Sequence, residues 1–293
     1  MIKRLSYQEI DFEKYNQCVE NSFQKNFYCN KETLDFLCKN WELLVYNDYE
    51  AVMPIPFVEK AFFKIVIMPL FCQQLGIFGN SNREINQIFL EYFKKHYNML
   101  NYAFNFNNEF KTELLTKKNF VIPVQEYAFL RRKKYFKGRK STVKTAQYLE
   151  FKEVFTHEHI LDFIKNNFKG LEKQSDQDFF LEYLFFLEKS NKLKMFGSYF
   201  ENHLTNITIL TDDSDSYSLL GLINNEELKN HNGASFLIDR ILQQNIESKA
   251  FNFMGGSIRG IEVFFKSFGS DLQEYQVIQN SKKDIILNCL KIS

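Results

Sequence analysis

Ala103-Phe104-Asn105-Phe106-Asn107 reappears near the end of the chain as Ala250-Phe251-Asn252-Phe253-Met254, and this pair decides the fold. The likeness runs backwards: Gln74-Leu75-Gly76-Ile77 precedes the first copy much as Leu219-Leu220-Gly221-Leu222 precedes the second. It also runs forwards, with Leu115-Thr116-Lys117-Lys118-Asn119-Phe120 set against Phe264-Phe265-Lys266-Ser267-Phe268. Three matches in order, at an offset near half of the 293 residues, mark an internal duplication.

Each copy reads as the same series of elements. In the first, strands are expected at Leu43 to Tyr46 and Glu50 to Pro54, joined by the turn Asn47-Asp48, and again at Leu75 to Phe78. Ile85, Ile88, Phe89, Tyr92 and Phe93 recur at helical spacing. A strand at Tyr102 to Phe106, a helix over Glu109 to Lys118 and a strand at Val121 to Tyr127 complete the half. In the second, strands fit Met195 to Phe200, Thr205 to Thr211 and Tyr217 to Ile223, followed by a helix over Gly233 to Gln244. Phe251 to Met254, a helix through Ile261 to Phe265, and Glu274 to Ile278 close it. A strand meander followed by alternation with helices predicts an α/β (α+β) fold. Two tandem domains are expected, each a mixed, mostly antiparallel sheet flanked by helices, over residues 1–130 and 131–293.

Between the halves, Arg131 through Gln147 contains eight cations and no acid, and two amphipathic helices follow around Ile160 to Phe168 and Phe179 to Leu187. The formal net charge is only +1, so any contact with nucleic acid must come from this local run. Cys18, Cys29, Cys38, Cys72 and Cys289 form no C-x-x-C pair and read as reduced thiols. The most apolar stretch, Ile65 to Cys72, is broken by Pro69 and far below the ~20 residues of a membrane span. With no secretory signal in the opening residues, a cytoplasmic location is expected.

Phe251-Asn252-Phe253-Met254-Gly255-Gly256-Ser257, continued by Gly260 and by Phe264-Phe265-Lys266-Ser267-Phe268-Gly269, resembles the D-F-x-G-S…G…F-x-K-x-F-G signature of FemABX-like tandem GNAT proteins. Arg139-Lys140-Ser141-Thr142-Val143-Lys144-Thr145-Ala146 resembles their basic helix, and Tyr49 to Pro56 with Gln73-Gln74-Leu75-Gly76 resembles Bacteroidetes members of GNAT-like type. The resemblance implies two GNAT-like domains and transfer of an acyl or aminoacyl group to an amine, with a cell-wall or surface-glycan precursor as a candidate acceptor in an interdomain cleft. It implies that Lys266 sits near the reacting carbonyl. Asn252 departs from the family's Asp, and the basic segment is shorter than in the enzymes.

Acyl transfer to an amine needs a deprotonated nucleophile, donors aimed at the developing oxyanion, and both substrates in line. In GNAT-like folds a splayed strand supplies backbone groups to the acyl donor, and the candidates are Leu75 to Phe78 and Tyr217 to Ile223. Lys266 is the candidate oxyanion stabiliser, and Tyr217 or Glu50 the proton acceptor or relay. Against these stand a solvated helix lysine, a half-buried strand tyrosine and an ion-paired glutamate. Gly255, Gly256 and Ser257 offer amides to an anion or carbonyl, or else form a tight turn with Ser257 as helix cap. Asn252, Arg259, Phe264 and Phe268 join the candidate substrate surface as parts of the same signature. Gln73 and Gln74 are candidates to orient an acceptor, and Arg139, Lys140 and Lys144 to meet phosphates.

Neither Gly79-Asn80-Ser81-Asn82-Arg83 nor Lys229-Asn230-His231-Asn232-Gly233-Ala234 fits the Q/R-x-x-G-x-G/A loop of acetyl-CoA users, although the second comes closer and retains the means to cradle phosphate. No tightly bound cofactor is expected; the acyl donor, aminoacyl-tRNA or acyl-CoA, is a co-substrate. tRNA is a candidate partner through Arg131 to Lys144. His157 and His159 lack a third ligand, so no metal site is expected. The alternative function is a non-catalytic ligand- or RNA-binding protein on a decayed acyltransferase scaffold.

Overall fold

The computed structural model describes residues 1–60, 63–281 and 283–285, so Cys289 lies outside the described residues. The elements in chain order are β1 (Ile2–Leu5), α1 (Phe12–Glu20), α2 (Lys31–Leu37), β2 (Asn40–Tyr46), β3 (Ala51–Lys60), β4 (Phe63–Val66), β5 (Phe78–Gly79), α3 (Arg83–His96), β6 (Asn98–Met99) and β7 (Asn101–Ala103). Next come β8 (Leu115–Ile122), α4 (Tyr127–Phe129), α5 (Lys137–Thr145), β9 (Glu150–Glu153), α6 (Glu158–Asn167) and α7 (Gln174–Lys189). The series ends with β10 (Leu193–Phe200), β11 (His203–Asp212), β12 (Ser216–Asn224), α8 (Gly233–Asn245), β13 (Ala250–Asn252), α9 (Arg259–Lys266) and β14 (Asp271–Gln279). From β1 and from β9 the same order unfolds: strand, two helices, strands, helix, strand.

The chain forms two compact units, Met1–Lys117 with Glu274–Ser293, and Lys118–Gln273. In the first, β1, β2, β3 and β4 pair antiparallel in that order, β6 pairs parallel with β4, and β5 adds to β3. Its remaining strand pair joins β7 to the end of β14, with Val277 opposite Ala103. In the second unit the order is β9-β10-β11-β12-β13-β8, antiparallel except for the parallel pair β12 and β13. The expected division at residue 130 follows sequence order, whereas each unit takes one strand from the other repeat. β8 is paired with β13, which groups residues 118–130 with the second unit. The end of β14 is paired with β7, which returns Glu274 onward to the first.

Most expected elements form at their expected places because their apolar spacing matches a buried face. In α3, Phe89 and Phe93 are buried as the helical stripe requires, while Ile88 points outward. In β12 the residues alternate between buried and half-buried, and α8 buries Phe236, Leu237, Ile241 and Leu242 against the same core as Phe251, Phe265 and Phe268. Each fully buried side chain of this size stabilises the fold by about 1.5–3 kcal/mol.

The helix expected over Glu109 to Lys118 is absent: residues 104–114 are irregular, and β8 begins at Leu115. Side chains take the backbone groups that a helix would use. Asn105 Oδ1 accepts from the amide of Asn107 at 3.0 Å, and Gln87 Oε1 accepts from the amides of Lys111 and Thr112 at 3.0 and 3.2 Å. Such local capping by amide side chains competes with helical hydrogen bonding. The strand expected at Val121 to Tyr127 lies earlier, over β8, and Tyr127–Phe129 is helical.

Candidate functional site

In the first unit the segment Gln74 to Gly79 leaves β7 after a single bond, from the Leu75 amide to the Ala103 carbonyl at 2.9 Å. The gap that opens beyond it is filled by the chain itself. The Asn108 carboxamide accepts from the Ile77 amide at 2.8 Å and donates to the Ile77 carbonyl at 3.0 Å, replacing a neighbouring strand. Tyr102 OH accepts from the Gly76 amide at 3.0 Å and donates to the Pro54 carbonyl at 2.8 Å. Gly76 has φ +112°, and a Cβ there would lie 2.2 Å from Asn108 Oδ1, so the plug requires glycine. Gln74 belongs to the same plug: it is buried, and its Oε1 accepts from the Phe106 amide at 2.9 Å. Its Nε2 donates to Gln73 Oε1 at 3.2 Å, so this pair acts on the fold's own backbone. Glu50 lines an open hollow of 740 Å³ with Lys14, Asp48 and Phe23, and its Oε2 accepts from Asn47 Nδ2 at 3.1 Å.

The corresponding edge in the second unit is open. β12 pairs with β13 over only three residues, Ser216 to Ser218 against Ala250 to Asn252, and then runs on to Asn224 with β11 alone. Its pairing with β11 shifts register between Ile209 and Leu210, leaving Leu220 as the extra residue just where β13 departs. Among the described residues, no side chain bonds to the backbone of Tyr217 through Ile223, in contrast to the two that fill the first unit's gap. An unpaired strand edge of this kind accepts an extended ligand carrying amides.

The loop after β13 borders this edge. Asn252 Oδ1 accepts from the Met254 amide at 2.8 Å, and Asn119 Oδ1 accepts from the Gly255 amide at 3.0 Å. Met254, Gly255 and Gly256 all have positive φ, at 59°, 153° and 134°. The Gly256 backbone lies on the Phe120 ring, where a Cβ would come within 2.4 Å. Asn252 therefore shapes the turn. The α9 N-cap is Ile258 rather than Ser257, and Ser257 and Arg259 are exposed beside it.

Lys266 Nζ binds Glu262 Oε1 at 2.5 Å, Glu262 also binds Lys118 at 3.0 Å, and the ammonium lies 5.6 Å from the Phe120 ring centroid. The two lysines hold the Glu262 carboxyl below its usual range, Lys266 contributing most. Lys266 is half-exposed, neither buried in the core nor free of partners. On the adjoining side of α9, Phe264 and Phe268 hold the Arg139 guanidinium at 4.5 and 4.6 Å from their ring centroids. Arg139 Nε donates to Ser267 Oγ at 2.8 Å, and a second nitrogen donates to Ser235 Oγ in the first turn of α8. It forms no ion pair among the described residues, and burial lowers its pKa. A half-buried cation without a carboxylate, beside the free amides of a helix start, suits an anion. Lys144 is exposed, and Lys140 donates to the Arg132 carbonyl at 2.6 Å.

Tyr217 is buried in the core, its ring 5.0 Å from the Lys249 ammonium, and burial raises its pKa. The phenol is thus held neutral and serves better as a donor than as a base. Sequence reasoning missed Asn108, Tyr102, Asn119 and Ser235. Only the Phe264–Phe268 spacing of i, i+4 hinted at the Arg139 clamp. No cluster of three His, Cys, Asp or Glu side chains fit for a metal exists among the described residues.

The whole chain superimposes on FemX with a TM-score of 0.65 at 9% identity, covering 97% of this chain and 99% of FemX. It matches a tandem GNAT protein from the clavulanic acid biosynthesis pathway at 0.52 and 10% identity, over 94% and 97% of the two chains. The fold is that of FemX and the tandem GNAT proteins. A conserved protein of unknown function from Bacteroides thetaiotaomicron shares this tandem GNAT fold at 0.59 and 11% identity, over 96% and 100% of the two chains. By sequence alone, no family model and no curated protein matches the chain. Among the described residues, no helix is long and apolar enough to cross a membrane.

Proposed function

We propose that the protein is an acyltransferase that moves an acyl or aminoacyl group from a phosphate-bearing carrier to an amine, with the donor laid along the open edge of β12. The observation that carries this reading is the contrast between the two units: the gap beside Ile77 is closed by Asn108 and Tyr102, whereas the backbone from Leu219 to Ile223 has no side-chain partner among the described residues. A duplicated fold that seals one of two equivalent edges keeps the other for a ligand.

The chemistry follows from the groups around that edge. The extended arm of the donor adds to β12, with its carbonyl oxygen near the amides around Leu220 and the Gly256 amide. Its phosphate meets Arg139 and the first amides of α8, which fits acyl-CoA or the end of an aminoacyl-tRNA. The amine nitrogen attacks the carbonyl carbon, and the oxyanion is stabilised by amide donors and by the Lys266 ammonium. Collapse expels the carrier's thiolate or ester oxygen, and the nitrogen's proton passes to solvent.

Calorimetry with acyl-CoA and with aminoacyl-tRNA analogues, followed by turnover on simple amines, tests this. Arg139→Ala is expected to weaken donor binding about tenfold to a hundredfold, the worth of a charged hydrogen bond. Lys266→Ala is expected to bind donor and lose most turnover. Absence of binding to either donor class, or binding indifferent to Arg139, removes the proposal.

A further inference from the structure

Three rings from separate segments of the second unit meet in front of α8. Phe200, at the end of β10, stacks on His231 with 4.2 Å between centroids and 27° between planes. Tyr148, just past α5, stands upright to both, 5.7 Å from Phe200 at 82° and 5.9 Å from His231 at 72°. Its hydroxyl lies 2.7 Å from His231 Nδ1, which fixes the orientation of the imidazole. Tyr148 is 56% exposed, His231 is exposed and Phe200 is half-buried.

Single aromatic residues at a surface are ordinary, but a stacked pair with a third ring hydrogen-bonded to it, left open to solvent, is a surface ready for a planar ligand. The loop that carries His231 does not depend on the rings for support. Its backbone is held by the Asn225 amide on the Thr205 carbonyl at 2.9 Å. Two successive turns follow, from the His231 amide to the Leu228 carbonyl and from the Asn232 amide to the Lys229 carbonyl, both at 3.1 Å.

We propose that Tyr148, Phe200 and His231 form a stacking site for the adenine of the donor's carrier. The inference rests on the donor reading above, which lays a phosphate at the first amides of α8. Gly233, the first residue of α8, follows His231 by two residues, within about 7 Å along the chain. A ribose bridges a similar gap between a base and its phosphate. Both donor classes carry such an adenosine: the nucleotide of acyl-CoA and the terminal nucleotide of an aminoacyl-tRNA. The base lies on the imidazole face away from Phe200, as unstacked bases lie on His, Tyr and Phe rings. Stacking of this kind tolerates any base, so the choice of adenine comes from the carrier and not from hydrogen-bond readout.

Calorimetry on the full chain with two matched pairs of probes tests it. One pair is acetyl-CoA against S-acetyl-phosphopantetheine, and the other is the ribose-linked alanyl amide of AMP against its abasic counterpart; the pair that binds identifies the carrier. Tyr148→Ala with His231→Ala is expected to weaken the adenine-bearing member about tenfold, the worth of one stacked base, and to leave the adenine-free member unchanged. His231→Phe keeps a ring on Phe200 while losing the bond to the Tyr148 hydroxyl, and should retain most of the affinity. An adenine-bearing probe indifferent to the double substitution overturns the adenine site and leaves the donor reading standing. Equal losses in both members, or a His231→Phe loss as large as that of alanine, would show that the rings only shape the loop, and overturn it as well. If no probe binds the parent protein, the donor reading falls and takes this inference with it.

Discussion

Replacing Asn108 by Ala tests the seal on the first unit's strand edge. The carboxamide makes two hydrogen bonds, with the Ile77 amide at 2.8 Å and the Ile77 carbonyl at 3.0 Å, and both residues are buried. Alanine leaves that N–H and that C=O without partners. An unsatisfied buried polar group costs about 1–3 kcal/mol, so the pair amounts to about 2–6 kcal/mol of lost stability. The assay is built into the chain: its single tryptophan, Trp41, is buried in the same unit, so its fluorescence follows that unit's unfolding in urea. The urea midpoint should fall with the slope unchanged. Donor binding on the second unit should persist below that midpoint. A loss under about 1 kcal/mol, within the range of an ordinary surface substitution, would refute the argument that Asn108 stands in for a missing strand.

Asp239 is buried on α8, accepts from Tyr127 OH at 2.8 Å, and has its pKa raised by burial against the pull of Tyr127 and Arg131. A carboxyl with a raised folded pKa costs stability as pH climbs from its unfolded value of about 3.9 through the folded one, and the cost stays constant above. The stability of Asp239→Asn relative to the parent should therefore be more favourable at neutral pH than near pH 3, measured by urea melts; a constant difference would contradict this. Burial pushes the Cys18 thiol up to about 11 and the Cys38 thiol up to about 12, and raises Cys72 as well. In a Cys289→Ser background the four remaining cysteines, Cys29 included, are all buried and should resist Ellman's reagent at neutral pH in the native protein and react fully in denaturant. Rapid native labelling of any of them would show that its site opens.

Much of the architecture was legible because it rests on local pattern. The Ala103–Asn107 and Ala250–Met254 copies became β7 and β13 at equivalent steps of the two units, and the helical stripe through Phe89 and Phe93 became α3. The helix expected at Glu109 to Lys118 failed because Gln87 and Asn105 captured its amides. No periodicity reports such competition. Lys266, Asn252, Phe264 and Phe268 were picked from one signature and Arg139 from the basic segment. The structure brings Arg139 to Phe264 and Phe268, pairs Lys266 with Glu262, and uses Asn252 to shape a turn.

The amino-acid order by itself determined the duplication, the alternation of strand and helix, and the concentration of cations between the repeats, since each is a property of neighbouring residues. Tertiary structure alone decided that β8 joins the second unit while the end of β14 returns to the first, because strand pairing is fixed by partners more than a hundred residues away in sequence. It alone decided that one of two equivalent edges is sealed and the other open. Asn108 reaches Ile77 only once the intervening helix and strand have folded back, and no rule of local sequence distinguishes an asparagine that will fill a gap from one that will face water.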